Sequence, residues 1–115
     1  MGWAARLIER LQKGETVTFR PRGNSMGKII KSGDLVVVEP LQDTEPITDD
    51  VVLCQVASND YLHRVVATDS NRFQIGNAHG RINGWITIRQ IHGICVSVNE
   101  CKMPAARRRK NRKNP

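Results

Sequence analysis

Aromatic residues are scarce in this chain of 115 residues: two Trp, two Phe and one Tyr. A core built around aromatic packing is therefore excluded. The apolar interior must come from Val, Ile and Leu, which favour strands when they occur in short runs. Cysteine is also sparse, at three residues, Cys54, Cys95 and Cys101. An odd number with no Cys-x-x-Cys pair excludes a disulfide framework, and no Cys or His pair has the usual spacing of zinc ligands. Cys54 and Cys95 lie within apolar runs and are expected to be buried thiols of a reducing compartment. No stretch approaches the ~20 apolar residues of a membrane span. Met1 to Lys13 has charges through its middle, so it is not a signal-peptide apolar region. These absences lead us to expect a cytoplasmic protein with no membrane partner.

Acidic residues are missing from one segment altogether. Residues 102–115 hold seven of the eighteen Lys and Arg and none of the eleven Asp and Glu. The remaining eleven positives balance the eleven acids of residues 1–101, so the net charge of +7 belongs to the C-terminal segment. Arg107, Arg108, Arg109, Lys110, Arg112 and Lys113 are candidate phosphate contacts for a nucleic acid. No aromatic residue is interleaved among them, so base stacking is not expected. From Pro104 onward there is no apolar periodicity, and a disordered basic tail is expected.

What is abundant is a succession of short β-prone runs. Ala4, Leu7, Ile8 and Leu11 fall at helical spacing and form a short amphipathic helix within residues 1–14, with Gly14 placed to end it. The body, residues 15–101, then alternates strands and turns. Thr16 to Phe19, Leu35 to Val38, Val51 to Val56, Tyr61 to Ala67, Arg72 to Ile75, Trp85 to Ile88 and Ile91 to Val98 read as strands. Ala57 to Asp60 is a hairpin connection, Gly76 to Gly84 a loop, and Gly93 a candidate bulge. Seven short strands and one helix predict a mainly β fold, a compact barrel or folded sheet. The last strand, Ile91 to Val98, is apolar and is expected at an edge, where it would pair two copies into a homodimer.

Two segments carry chemistry. Gly23-Asn24-Ser25-Met26 puts a Ser on a sharp turn that leads into the buried run Leu35-Val36-Val37-Val38. Turn chemistry alone would also favour these residues. His63 sits mid-strand, and alternation puts Tyr61, His63 and Val65 on one face. A strand histidine becomes a candidate base only when the fold brings it to the serine. His79 is a rival, but its glycine-rich surroundings predict a solvated loop residue.

The order of these segments resembles the catalytic domain shared by LexA-type repressors, related polymerase accessory subunits and type I signal peptidases. That pattern runs Gly-x-Ser-Met, Gly-Asp-x-Val-x-Val, Gly-Asp-x-Val, a hairpin, a basic residue with Arg-Val, and a Gly-Val strand. Here it corresponds to Gly23 to Met26, Gly33 to Val38, Asp49 to Val52, His63 to Val65 and Gly93 to Val98. The resemblance implies a LexA/signal-peptidase-like fold and a serine peptidase acting on another protein without a cofactor. It makes Ser25 the nucleophile, His63 the general base, and the backbone N–H groups of Ser25 and Met26 the oxyanion donors. Where His-type members place an Asp, this chain has Asn83, which would orient the imidazole. Lys28 stands where signal peptidases usually have Pro. Small standalone members of this kind are similar to phage or mobile-element products. The alternative is a non-catalytic regulatory or interaction module of the same fold, with the tail binding DNA or RNA.

Overall fold

The computed structural model describes residues 2–113, with side chains described through Arg109. Helix α1 spans Ala5–Gln12, and Gly14 follows it in the left-handed region at φ 86°. The strands are β1 (Val17–Phe19), β2 (Val36–Glu39), β3 (Val51–Val56), β4 (Asn59–Asp69), β5 (Arg72–Gly76), β6 (Ile82–Thr87), β7 (Ile91–Val98) and β8 (Cys101–Lys102). Helix α2 spans Pro104–Lys113. All pairings are antiparallel, in the order β1-β2-β7-β3-β4-β5-β6, with β8 added to β7. The mainly β architecture is thus as the sequence predicts.

The central strands are buried on both faces, which is why their sequences are continuously apolar. Along β3, Val51 and Leu53 join one cluster with Leu11, Val17, Met26, Ile30, Val36 and Val38. Val52, Cys54 and Val56 join a second cluster with Val65, Phe73, Ile75, Ile86 and Ile94. Helix α1 lays Leu7, Ile8 and Leu11 on the first cluster. At Gly93 a Cβ would stand 2.7 Å from Val38 Cγ1 and 2.8 Å from the Glu39 carbonyl oxygen. No side chain fits there. The expected bulge is present: Leu53 pairs with Gly93 and Cys54 with Ile91, so His92 is the extra residue.

Two expectations are corrected. The last long strand is not an edge: β7 is flanked by β2 and β3, so its ladder is already occupied on both sides. It cannot serve as the pairing edge of a homodimer. Among the described residues the basic tail is not disordered: Pro104–Lys113 form α2, and Ala105 to Arg109 dock its first half on the body. Ala105 is buried in the second cluster beside Ile94 and Val96, with Ala106 packed against the same cluster. Polar bonds fix the docking. Arg108 grips the buried Asp50 carboxylate through both guanidinium NH groups. Arg109 is itself buried and donates to Glu39 at 2.9 Å, the Leu41 carbonyl at 3.0 Å and Thr44 Oγ1 at 2.8 Å. The hydrophobic period was silent because two alanines and two paired arginines carry the contact.

Candidate active site

Ser25 lies in the connection between β1 and β2. Its neighbours Met26 and Ile30 are buried in the first cluster, whereas Ser25 is exposed. The connection is closed at its base by Gly33 N–H donating to the Pro21 carbonyl at 2.8 Å. Around the serine, Gly27 N–H donates to the Asn24 carbonyl at 3.1 Å and Ile29 N–H to the Met26 carbonyl at 3.0 Å. Gly27 has φ 54°, a conformation glycine adopts without penalty. Two successive turns therefore hold Ser25 outward at a fixed point.

His63 is buried in β4, with its ring stacked on Tyr61 at a centroid separation of 4.8 Å. The alternation of residues 61 and 63 onto one face is thus realised. Its Nε2 lies 3.1 Å from Ser25 Oγ, and its Nδ1 lies 2.7 Å from Asn83 Oδ1. An amide oxygen only accepts, so Nδ1 carries the proton and Nε2 presents a lone pair to the serine hydroxyl. Burial pushes the His63 pKa below the ordinary imidazole value, while the Asn83 bond pulls the other way. The ring is therefore neutral near pH 7, the state in which it accepts a proton. The structure brings together all three side chains singled out in the sequence.

Asn83 reaches His63 because of a defect in the β5–β6 ladder. Ile75 pairs with Gly84 and Gly76 with Ile82, which leaves Asn83 as the extra residue of a bulge. A bulge re-aims a side chain. Gly76 admits it, since a Cβ at Gly76 would be 2.8 Å from the Arg81 carbonyl oxygen.

The sequence predicts a loop over Gly76 to Gly84 with His79 solvated; the structure has a loop at residues 77–81 with His79 exposed, and that loop is also bonded to the serine turn. Ala78 N–H donates to the Ser25 carbonyl at 2.8 Å, and His79 Nε2–H donates to the Asn24 carbonyl at 2.7 Å. The Asn77 side chain shapes this loop by accepting from the His79 and Arg81 N–H groups. His79 is exposed, yet it has a fixed partner. Nothing in the sequence links positions 24 and 79, which are brought together by the long-range β4–β5–β6 order.

A cavity of about 520 Å³ opens beside Ser25 and His63, with Trp3, Phe19, Met26, Ile30, Leu62 and Asp60 among its lining residues. The N-terminal half of β4 runs along it. Residues 59–63 pair with β3 alone, because β5 joins β4 only from Arg64 onward. Among the described residues, one backbone edge of this segment carries no partner strand.

The remaining candidates lie elsewhere. Arg108 and Arg109 face the body, Arg107 is exposed, and the side chains of Lys110, Arg112 and Lys113 fall outside the described ones. Cys54 and Cys95 are buried free thiols, as expected, with pKa values pushed up to about 12 by burial, and Cys101 is an exposed free thiol. Among the described residues no cluster of three or more His, Cys, Asp and Glu is placed to hold a metal ion. No described helix is long and apolar enough to cross a membrane. No protein-family model matches the chain, and no curated protein matches it by sequence.

Proposed function

We propose that the protein is a serine peptidase of the LexA/signal-peptidase kind, with Ser25 as nucleophile and His63 as general base. One observation carries this reading: His63 Nε2 meets Ser25 Oγ at 3.1 Å while Nδ1 is fixed by Asn83 at 2.7 Å. A nucleophile within reach of a base, itself oriented by a third group, is the arrangement nucleophilic catalysis needs.

The chemistry follows from these positions. Ser25 Oγ attacks the scissile carbonyl carbon as its proton passes to His63 Nε2. The carbonyl π electrons move onto oxygen, which the Ser25 and Met26 N–H groups stabilise. Collapse breaks the C–N bond, and His63 returns the proton to the departing amine. Water, activated by the same imidazole, then attacks the acyl-enzyme and frees Ser25. Asn83 keeps the productive tautomer but supplies no negative charge to the imidazolium. The substrate is a protein segment in extended form, which the unpartnered edge of residues 59–63 would accept as an added strand. The apolar lining beside Ser25 would take one of its side chains. Buried, unpaired Cys54 and Cys95 fit a reducing, cytoplasmic setting.

The test is proteolysis of a peptide library, with new termini read by mass spectrometry. Wild type should generate termini that Ser25→Ala does not. Identical termini from both proteins would remove the peptidase assignment.

A further inference from the structure

The side chains of the dyad account for attack and proton transfer, but not for how the oxyanion donors are aimed. Those donors belong to two peptide units, Asn24–Ser25 and Ser25–Met26. In a trans peptide the C=O and N–H bonds point in opposite directions. Fixing the carbonyl therefore fixes the N–H. Both carbonyls are held by the same short loop: the Asn24 oxygen accepts from His79 Nε2–H at 2.7 Å and the Ser25 oxygen accepts from Ala78 N–H at 2.8 Å. The N–H groups of Ser25 and Met26 then point away from that loop. Neither donates to another group among the described residues, so both are available to a ligand.

The grip is built rather than incidental. Asn77 Oδ1 accepts from the His79 N–H at 2.8 Å and the Arg81 N–H at 3.0 Å, which sets the loop conformation. Gly27 lets the two segments approach, since a Cβ there would sit 3.3 Å from Ala78 Cβ and 3.5 Å from His79 Cε1. Gly27 N–H also donates to the Asn24 carbonyl, so that oxygen receives two hydrogen bonds.

We infer that His79 is a positioning residue that, with the Ala78 N–H, aligns the Ser25 and Met26 N–H groups as an oxyanion hole. The inference rests on the peptidase reading. His79 does not touch the reacting atoms and acts through the Asn24 carbonyl.

The test is the kinetics of Ser25 phosphonylation by a fluorophosphonate, in which the Oγ–P bond forms and fluoride departs. His79→Ala should slow the maximal labelling rate by about tenfold or more, because aligned oxyanion donors are worth a factor of that order or greater. The probe concentration at half-maximal rate and the inflection of the pH profile should not move. His79→Gln, whose amide nitrogen reaches the position of ring Nε2, should recover most of the rate, and His79→Asn should not. A loss of fold would lower the melting temperature of the Asn and Gln variants alike and would not separate their rates. Labelling of His79→Ala at the wild-type rate, or equal rates for Gln and Asn, would overturn the inference and leave the dyad standing. An unreactive wild-type Ser25 would overturn the dyad and the inference together.

Discussion

In the proposed peptidase, Ser25 from a turn, His63 from β4 and Asn83 from β6 share the chemistry. His63 must be neutral to accept the serine proton. Because burial lowers its pKa, the acylation rate should rise from acid pH to a plateau with an inflection below the ordinary imidazole value of about 6.5. Stability should share the sign. The unfolded chain takes up a proton near pH 6.5 whereas folded His63 and His92 resist, so their contribution is complete above that pH and is lost on acidification through their folded pKa values. Asn83→Asp places a charge 2.7 Å from Nδ1, where the amide oxygen now sits. That charge should move the inflection of the acylation profile upward by about one pH unit or more, since an adjacent opposite charge favours the imidazolium. A titration of the rate across pH 4–9 checks both expectations, and an unmoved inflection in Asn83→Asp would mean that Asn83 does not contact the base during reaction. His63 and Ser25 were legible in the sequence because motif order singled them out. Asn83 was legible by position only, and the bulge that turns it inward was not. His79 is exposed, as its glycine-rich surroundings predict, but its bond to a main-chain carbonyl leaves no mark in a sequence.

Among the elements, strands with one apolar signature were legible and their connections less so. Val51 to Val56 and Ile91 to Val98 were located from their apolar runs. The β3–β4 connection was read as four residues, but Asn59 and Asp60 belong to β4, and the turn is Ala57-Ser58 with φ 49° and 70°. Two successive positive φ values match the right-handed strand twist, and this geometry favours Asn-Gly rather than Ala-Ser. Local chemistry therefore pointed to a longer turn than the pairing imposes. Replacing Ser58 by Gly should raise stability by about 1 kcal/mol, since a residue with a Cβ is penalised in this region. Gly93→Ala should have the opposite effect, because the new methyl would meet Val38 Cγ1 at 2.7 Å. A loss of about 1–3 kcal/mol in chemical denaturation is expected from such overpacking. Equal stability of Gly93→Ala and wild type would mean that the β2–β7 spacing adjusts freely.

At the level of the whole molecule, the two faces of the sheet need two covers, and the C-terminal segment supplies one. The absence of apolar periodicity predicts a disordered tail there. The contacts of Arg108 and Arg109 contradict that expectation, because Asp50 and Arg109 are buried and each depends on the other segment. Arg108→Ala strips the buried Asp50 carboxylate of its cation and should cost about 3 kcal/mol. Deleting residues 102–115 should cost at least as much, read as a lowered denaturation midpoint. An unchanged midpoint would return the segment to the status of a dispensable tail. The same sheet assembles the dyad from distant parts of the chain, since residues 25, 63 and 83 meet only when β1–β2, β4 and β6 are in place. The most direct measurement is the intact mass of the protein after exposure to a fluorophosphonate, with the adduct located by peptide mapping. A single adduct on Ser25 in wild type, lost in His63→Ala, is the expected result. No adduct in wild type, or an adduct on Ser25 that forms equally fast without His63, would contradict a catalytic Ser25–His63 pair.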